Sequence, residues 1–191
     1  LRHGVVIENT YGSVVSGNMI EECNGTAIIL DRDCYGITLS ANVIAHDMGG
    51  GIDLRDAHGC AVSANTFTLL HGFGVRVTKD SGRITITGNN FCNSYLGEGK
   101  VRRKLDDPSA VQIDVGAGIV LEDAEHVVAT GNSFSGLDGA ALRAVGKCKQ
   151  VLVSGNLVTD VHRRPAPGVD QSQAFDISSE STASLQANLT D

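Results

Sequence analysis

Gly51-Ile52-Asp53-Leu54-Arg55-Asp56-Ala57-His58-Gly59-Cys60-Ala61-Val62-Ser63-Ala64-Asn65-Thr66-Phe67 holds two short runs of alternating apolar and polar residues and, after the second, a Ser-Ala-Asn tripeptide. Alternation at period two marks strands, and runs this short cannot be helices. The tripeptide recurs as Ser16-Gly17-Asn18, Ser40-Ala41-Asn42, Thr87-Gly88-Asn89, Thr130-Gly131-Asn132 and Ser154-Gly155-Asn156, and a variant reads Gln186-Ala187-Asn188. The asparagines are spaced 24, 23, 24, 43, 24 and 32 residues apart, so a unit of about 24 residues repeats and two units carry insertions. A period in this range predicts a solenoid of about seven stacked coils, built here from strands.

Each unit has the form Gly-(Ile/Val)-x-(Leu/Val), a polar turn, x-(Ile/Val)-x-(Ile/Val)-(Ser/Thr)-(Gly/Ala)-Asn-x-(Ile/Phe), and a second turn. Coils stacked about 4.8 Å apart turn every alignment column into a ladder. Three residues before the asparagine the column is Val15, Leu39, Val62, Ile86, Ala129, Val153 and Leu185; two after it stand Ile20, Ile44, Phe67, Phe91, Phe134 and Val158. Both are expected inside, with the three phenylalanines stacked in consecutive coils. The asparagine sits at a sharp bend, where its amide can donate to one coil and accept from the next. It is a structural residue in this reading, and the small residue before it leaves room for the bend.

Composition agrees with many short strands and tight turns: 23 glycines against 3 prolines, no tryptophan, 19% charged residues. A net charge of -7 argues against binding a phosphate backbone. The one basic cluster, Lys100 to Lys104, is answered by Asp106 and Asp107. No apolar run is long enough for a membrane span. Residues 1–191 are expected to form a single domain. Because Gly4-Val5-Val6-Ile7 already matches Gly51-Ile52-Asp53-Leu54, a fragment of a longer chain is expected, with any targeting signal upstream. The five cysteines contain no CxxC; Cys34, Cys60 and Cys148 fall in core columns and read as free buried thiols.

The repeated Gly-Ile-x-Leu and Ser-Gly-Asn units resemble the right-handed parallel β-helices of the pectin-lyase-like superfamily over essentially the whole chain. The resemblance implies an all-β, right-handed parallel β-helix solenoid of about seven coils, with three sheets, a sugar chain bound across the first of them, and an extracellular or cell-envelope location. Here the first sheet is the Gly-Ile-x-Leu strand, preceded by the most variable turn. Both insertions, about 95–116 and 162–174, leave from that turn. It also collects Glu22, His46, Asp47, His71, Tyr95, Asp138, Asp160 and His162. Loops on a rigid scaffold are where function usually lies.

On the adjoining strand the outward column reads Val6, Ile29, Asp53, Arg76, Val120, Arg143 and Asp176, and the next reads Glu8, Asp31, Arg55, Thr78, Glu122, Ala144 and Ser178. These are either cross-strand charge pairs on a wet sheet or a groove for an acidic sugar polymer. In the second reading Asp53, His71 and Arg76 are the catalytic candidates, and Arg55, Glu122, Asp138, Arg143, His162 and Asp176 line the substrate. Arginine grips a uronate carboxylate in two places, and histidine can act as base near neutral pH. The expected activity is that of a polysaccharide lyase, epimerase or hydrolase; the alternative is a non-catalytic surface or tailspike-like module that binds glycans or protein partners.

The chain departs from known catalytic subgroups. It has no Asn-Thr-Asp, Asp-Asp, Gly-His-Gly and Arg-Ile-Lys set resembling the polygalacturonases, and no Asp-Pro-His of the alginate-epimerase kind, since Ser109 follows Asp107-Pro108. No cofactor is expected. Calcium would need several oxygen ligands, and Asp31 with Asp33, or Asp53 with Asp56, supplies part of a shell only.

Overall fold

A computed structural model of the chain describes residues 2–92, 116–162 and 173–191. The two insertions expected at about 95–116 and 162–174 therefore lie almost wholly outside the described residues, with only Gly116, His162, Gln173 and Ala174 visible at their margins. All the described secondary structure is strand, and all strand pairs are parallel. No helix is long and apolar enough to cross a membrane.

Each unit contributes one strand to each of three sheets. The first sheet runs Val5–Glu8, Thr26–Asp31, Gly50–Leu54, Phe73–Val77, Ala117–Glu122, Leu142–Val145 and Phe175–Ile177. The second begins at Val14–Ser16 and ends at Ala183–Gln186, with two short extra strands, Cys34–Tyr35 and Ala57–His58, at its entry corner. The third begins at Met19–Glu21 and ends at Leu189–Thr190. Chain order and spatial order coincide in every sheet, as a winding of one repeated unit requires.

The interior ladders pair as the repeat predicts, but they are not enclosed at the last described coil, where Leu185 pairs with Val153 yet is 48% exposed because no further described coil covers it. Val62 stands between Leu39 and Ile86, and Phe67 between Ile44 and Phe91. The Phe67, Phe91 and Phe134 rings stack with centroids 4.7 and 4.8 Å apart and planes 5° and 7° from parallel. Such offset stacking adds to the burial of apolar area. The reason for the repeat's leading glycine lies here: Gly51, Gly74 and Gly118 face the edges of Phe67, Phe91 and Phe134 so closely that no Cβ fits. In the units with Ile44 and Val158 the same position is Ala27 and Ala141. Ring and glycine are two halves of one volume constraint.

The asparagine ladder is continuous. Asn18, Asn42, Asn65, Asn89, Asn132 and Asn156 each donate Nδ2 to Oδ1 of the next member at 2.9–3.0 Å. The same Oδ1 accepts the backbone N–H of the preceding asparagine. From Asn42 onward the second Nδ2 hydrogen goes to a carbonyl one coil back, as in Asn65 to Leu39. The residue before each asparagine has φ between +49° and +72°, a region that glycine enters without cost and that Ala41, Ala64 and Ala187 also occupy. Cys23, Cys34, Cys60 and Cys148 are buried and free; Cys92 is half-buried and also free.

One column needs correction. The second outward column was expected to pass through Ala144, but Ala144 is buried between Leu121 and Ile177, and Val145 pairs with Glu122 on the outside. Alternation decides it: with Arg143 outward, the next outward residue is two positions on.

Candidate functional site

The outward column of the first sheet is in register from Val6 to Asp176. Asp53 is its centre. Although its Cα lies on the outward row, its side chain is 0% exposed, because two arginines close over it. Arg76 donates Nε to Asp53 Oδ1 at 3.0 Å and a terminal N–H to Oδ2 at 2.7 Å, and Arg55 donates Nε to Oδ2 at 2.8 Å. The fork of Arg76 suits two parallel bonds to one carboxylate. Arg55 also reaches Asp31 at 3.8 Å, and the Arg76 guanidinium lies 4.7 Å from the centre of the Phe73 ring. The bonds from Asp53, and more distantly the charge of Glu122, hold the Arg76 pKa above its ordinary value. Arg143 and Asp176 form a separate, more exposed pair at 3.3 Å, with Val120 between Arg143 and Arg76.

The remaining candidates lie at the corner between the third and first sheets. His71 donates its backbone N–H to Asp47 O, and its Nε2 is buried without a partner. No hydrogen bond or ion pair joins His71 to Asp53 or Arg76 among the described residues, so the set divides into a clamp on the sheet and a histidine at its edge. His162 meets Gln173 O through Nε2 at 2.9 Å, and its Nδ1 is buried and unpartnered. Asp138 is buried; with Leu70, Phe91, Cys92, Gly116 and Leu137 it lines a cavity at this corner. Among the described residues no three His, Cys, Asp or Glu side chains come together to hold a metal.

Two features of the site escaped the sequence. Phe73 begins its strand where other units carry Thr26, Gly50 or Ala117, and its ring both fills the space above Gly50 and supports Arg76. Asp47 falls in a column that otherwise reads Cys23, Leu70, Ser94, Leu137 and Val161, and this mostly apolar company was the available signal that it is interior. It is 0% exposed; Oδ1 accepts the Cys23 N–H at 2.7 Å, and Oδ2 makes no hydrogen bond. The Cys23 thiol lies beside it, and burial with the adjacent carboxylate pushes that thiol up.

Burial raises the Asp47 pKa from 3.8 to about 6. Its folded-state pKa is above the unfolded value, so between about pH 4 and 6 the native state holds the proton that the unfolded chain has lost, and stability falls as pH rises through that window. Asp47→Asn keeps the Oδ1 acceptor and removes the buried charge. The expected result is an unfolding free energy, from urea titration, close to wild type at pH 4 and higher than wild type above pH 6, by on the order of 1–2 kcal/mol. A variant-minus-wild-type difference that does not change with pH would show that Asp47 is not the group responsible.

Three parallel sheets wound from one unit, with an arginine clamp on the outward face of the first, define a parallel β-helix with a polar sheet face. The family model described as right-handed β-helix region matches residues 2–188, and the chain belongs to that family. Among solved structures the chain is similar to the periplasmic alginate epimerase AlgG, with a TM-score of 0.67 at 13% identity, over 99% of this chain and 47% of that one. The chain thus spans about half the length of this neighbour, and the likeness is one of fold. No curated protein sequence matches the chain.

Proposed function

We propose that the chain binds an acidic polysaccharide across the first sheet, with Arg55, Arg76 and Arg143 meeting its carboxylates. The observation that carries this reading is the Asp53 clamp. A buried carboxylate holds two half-exposed guanidinium groups in fixed orientation on an outward face, and each keeps N–H groups unspent by Asp53. Preorganised donors of this kind bind a planar anion without first having to be ordered. In a lyase or epimerase the same arginines neutralise the uronate carboxylate while a base removes the adjacent proton. His71 is the base in this reading, Asp53 orients the clamp, and Glu122, Asp138, His162 and Asp176 line the path of the chain.

A second reading, a glycan-binding module without chemistry, is favoured by the pairing already present on this face: Asp31 with Arg55, Asp53 with Arg76, Arg143 with Asp176. The structural neighbour is named a periplasmic alginate epimerase. That makes alginate the first polymer to test and supports an extracellular or envelope location.

The test is a panel of alginate, polygalacturonate and neutral polysaccharides, with binding followed by calorimetry, unsaturated product by ultraviolet absorbance, reducing ends separately, and inversion at C5 by proton NMR. Arg76→Ala is expected to weaken uronate binding at least about tenfold, since a charge-assisted pair contributes roughly 1.5–3 kcal/mol. Undiminished binding in Arg76→Ala would overturn the proposal. Product formation that His71→Ala abolishes would select the enzyme; binding without product would select the module.

A further inference from the structure

The corner on the other edge of the first sheet, where the chain enters the second, carries a feature outside the site just described. Tyr11-Gly12, Tyr35-Gly36 and His58-Gly59 occupy the same place in three consecutive units, seven and six residues before the asparagine. They are in register: Tyr11 bridges to Tyr35, and Tyr35 pairs with His58. In the next units the aromatic position becomes Gly82, Glu125 and Lys149. Tyr11 is 60% and Tyr35 54% exposed. Tyr35 has a coil on each side, so its exposure is lateral and is no consequence of a solenoid end.

The glycines are informative. Gly12, Gly36 and Gly59 have φ of +59°, +64° and +59°, yet Arg83, His126 and Gln150 hold the equivalent positions at +55°, +55° and +53°. The backbone conformation therefore does not demand glycine there. What glycine provides is empty space beside the rings: a Cβ at Gly59 would touch the Tyr35 ring at 3.6 Å, and one at Gly12 would have nothing within 4 Å. The result is a ledge, a strip of bare backbone beside the exposed side chains of Tyr11 and Tyr35, whose backbones are in register one coil, about 4.8 Å, apart.

The rim of the ledge is acidic and ordered. Tyr11 donates its hydroxyl to Asp33 Oδ2 at 2.8 Å, Asp33 donates its backbone N–H to Asp56 Oδ2 at 2.8 Å, and His58 stands 3.6 Å from Asp56. Arg32 is turned to Glu8. An exposed aromatic face bordered by carboxylate acceptors complements a molecule with an apolar C–H face and a rim of hydroxyl donors, and the negative rim repels a polyanion.

We propose that Tyr11, Tyr35 and His58, with Asp33 and Asp56, form a binding site for an uncharged pyranose oligosaccharide, one sugar ring lying on each aromatic step. The site stands independently of the acidic-polymer reading of the first sheet. A protein partner is the competing occupant, and the experiment separates the two.

The full chain is titrated with cellohexaose, mannohexaose and xylohexaose by calorimetry. Ligand-induced changes in tyrosine emission are followed in parallel; with no tryptophan and 3 tyrosines, that emission reports largely on this ledge. At least one hexasaccharide is expected to bind saturably. Tyr35→Ala is expected to weaken it about two- to tenfold, in line with the 0.5–1.5 kcal/mol of a ring contact, and Tyr35→Phe to retain it. Gly59→Gln, which takes the residue found at Gln150, is expected to weaken binding by crowding the ledge while circular dichroism stays unchanged. Arg76→Ala should leave the neutral sugar bound, which separates failure of this proposal from failure of the first. Absence of saturable binding across the panel, binding indifferent to Tyr35→Ala, or a Tyr35-dependent self-association seen by sedimentation in place of sugar binding would overturn it.

Discussion

Gly74→Ala is expected to destabilise the protein by about 3 kcal/mol, at the upper end of overpacking substitutions. A Cβ at residue 74 would stand 2.5 Å from Phe91 Cδ1, 2.6 Å from its Cε1 and 2.9 Å from Gly118 O. Neither obstacle can yield cheaply. Phe91 is held between Phe67 and Phe134, and Gly118 O belongs to the adjoining strand of the sheet. A chain of this length shifts its melting temperature by roughly 2–4 °C per kcal/mol, so a fall of about 6–12 °C is expected. The double variant is the sharper measurement. Phe91→Val alone leaves a cavity and costs about 2–3 kcal/mol, but Gly74→Ala with Phe91→Val recreates the small-with-small pairing that Ala141 and Val158 already have. The pair should be more stable than the sum of the singles by at least about 1 kcal/mol. Strict additivity would mean that glycine and ring are not coupled, and the volume argument would fall.

Asn65→Ala is expected to cost about 3 kcal/mol. The side chain accepts from both the backbone N–H and the Nδ2 of Asn42, and donates to Leu39 O and Asn89 Oδ1. Alanine leaves the buried Asn42 N–H without a partner, and takes one acceptor from Asn42 Nδ2 and one donor each from Leu39 O and Asn89 Oδ1, with the orphaned N–H alone costing roughly 1–3 kcal/mol. Asn65→Asp should be comparably damaging at pH 7. It keeps the acceptors but loses both donors, and it places a buried charge 3.0 Å from Asn89 Oδ1. Lowering the pH should restore part of the loss, because a protonated carboxyl can donate once. Asn188→Ala, by contrast, acts at the last coil described, where exposure is greater, and should cost less than half as much. Urea titration of the three variants checks the order; equal midpoints for Asn65→Ala and wild type would show that the ladder does not stabilise the fold.

The asparagine period determined that the chain is a solenoid, which columns form the interior ladders and the register of the first-sheet column, and the repeated Gly-Ile-x-Leu and Ser-Gly-Asn units added the parallel β-helix through their family resemblance. The physical reason is that a stacked repeat turns sequence spacing directly into spatial adjacency, so that Arg76 beside Asp53 and Asp176 beside Arg143 follow from counting. Counting fails where one residue of offset matters, as with Ala144 and Val145. It also says nothing about which way a long side chain turns once it leaves the sheet. Only the tertiary structure decided that Asp53 is enclosed by two arginines, that Phe73 lies beneath one of them, and that Asp47 points inward at a corner full of ionisable residues. It likewise decided why glycine opens the repeat, since the ring that forbids a Cβ belongs to a strand on another sheet. These outcomes depend on side-chain packing across sheets, which a column of residues in one strand does not encode.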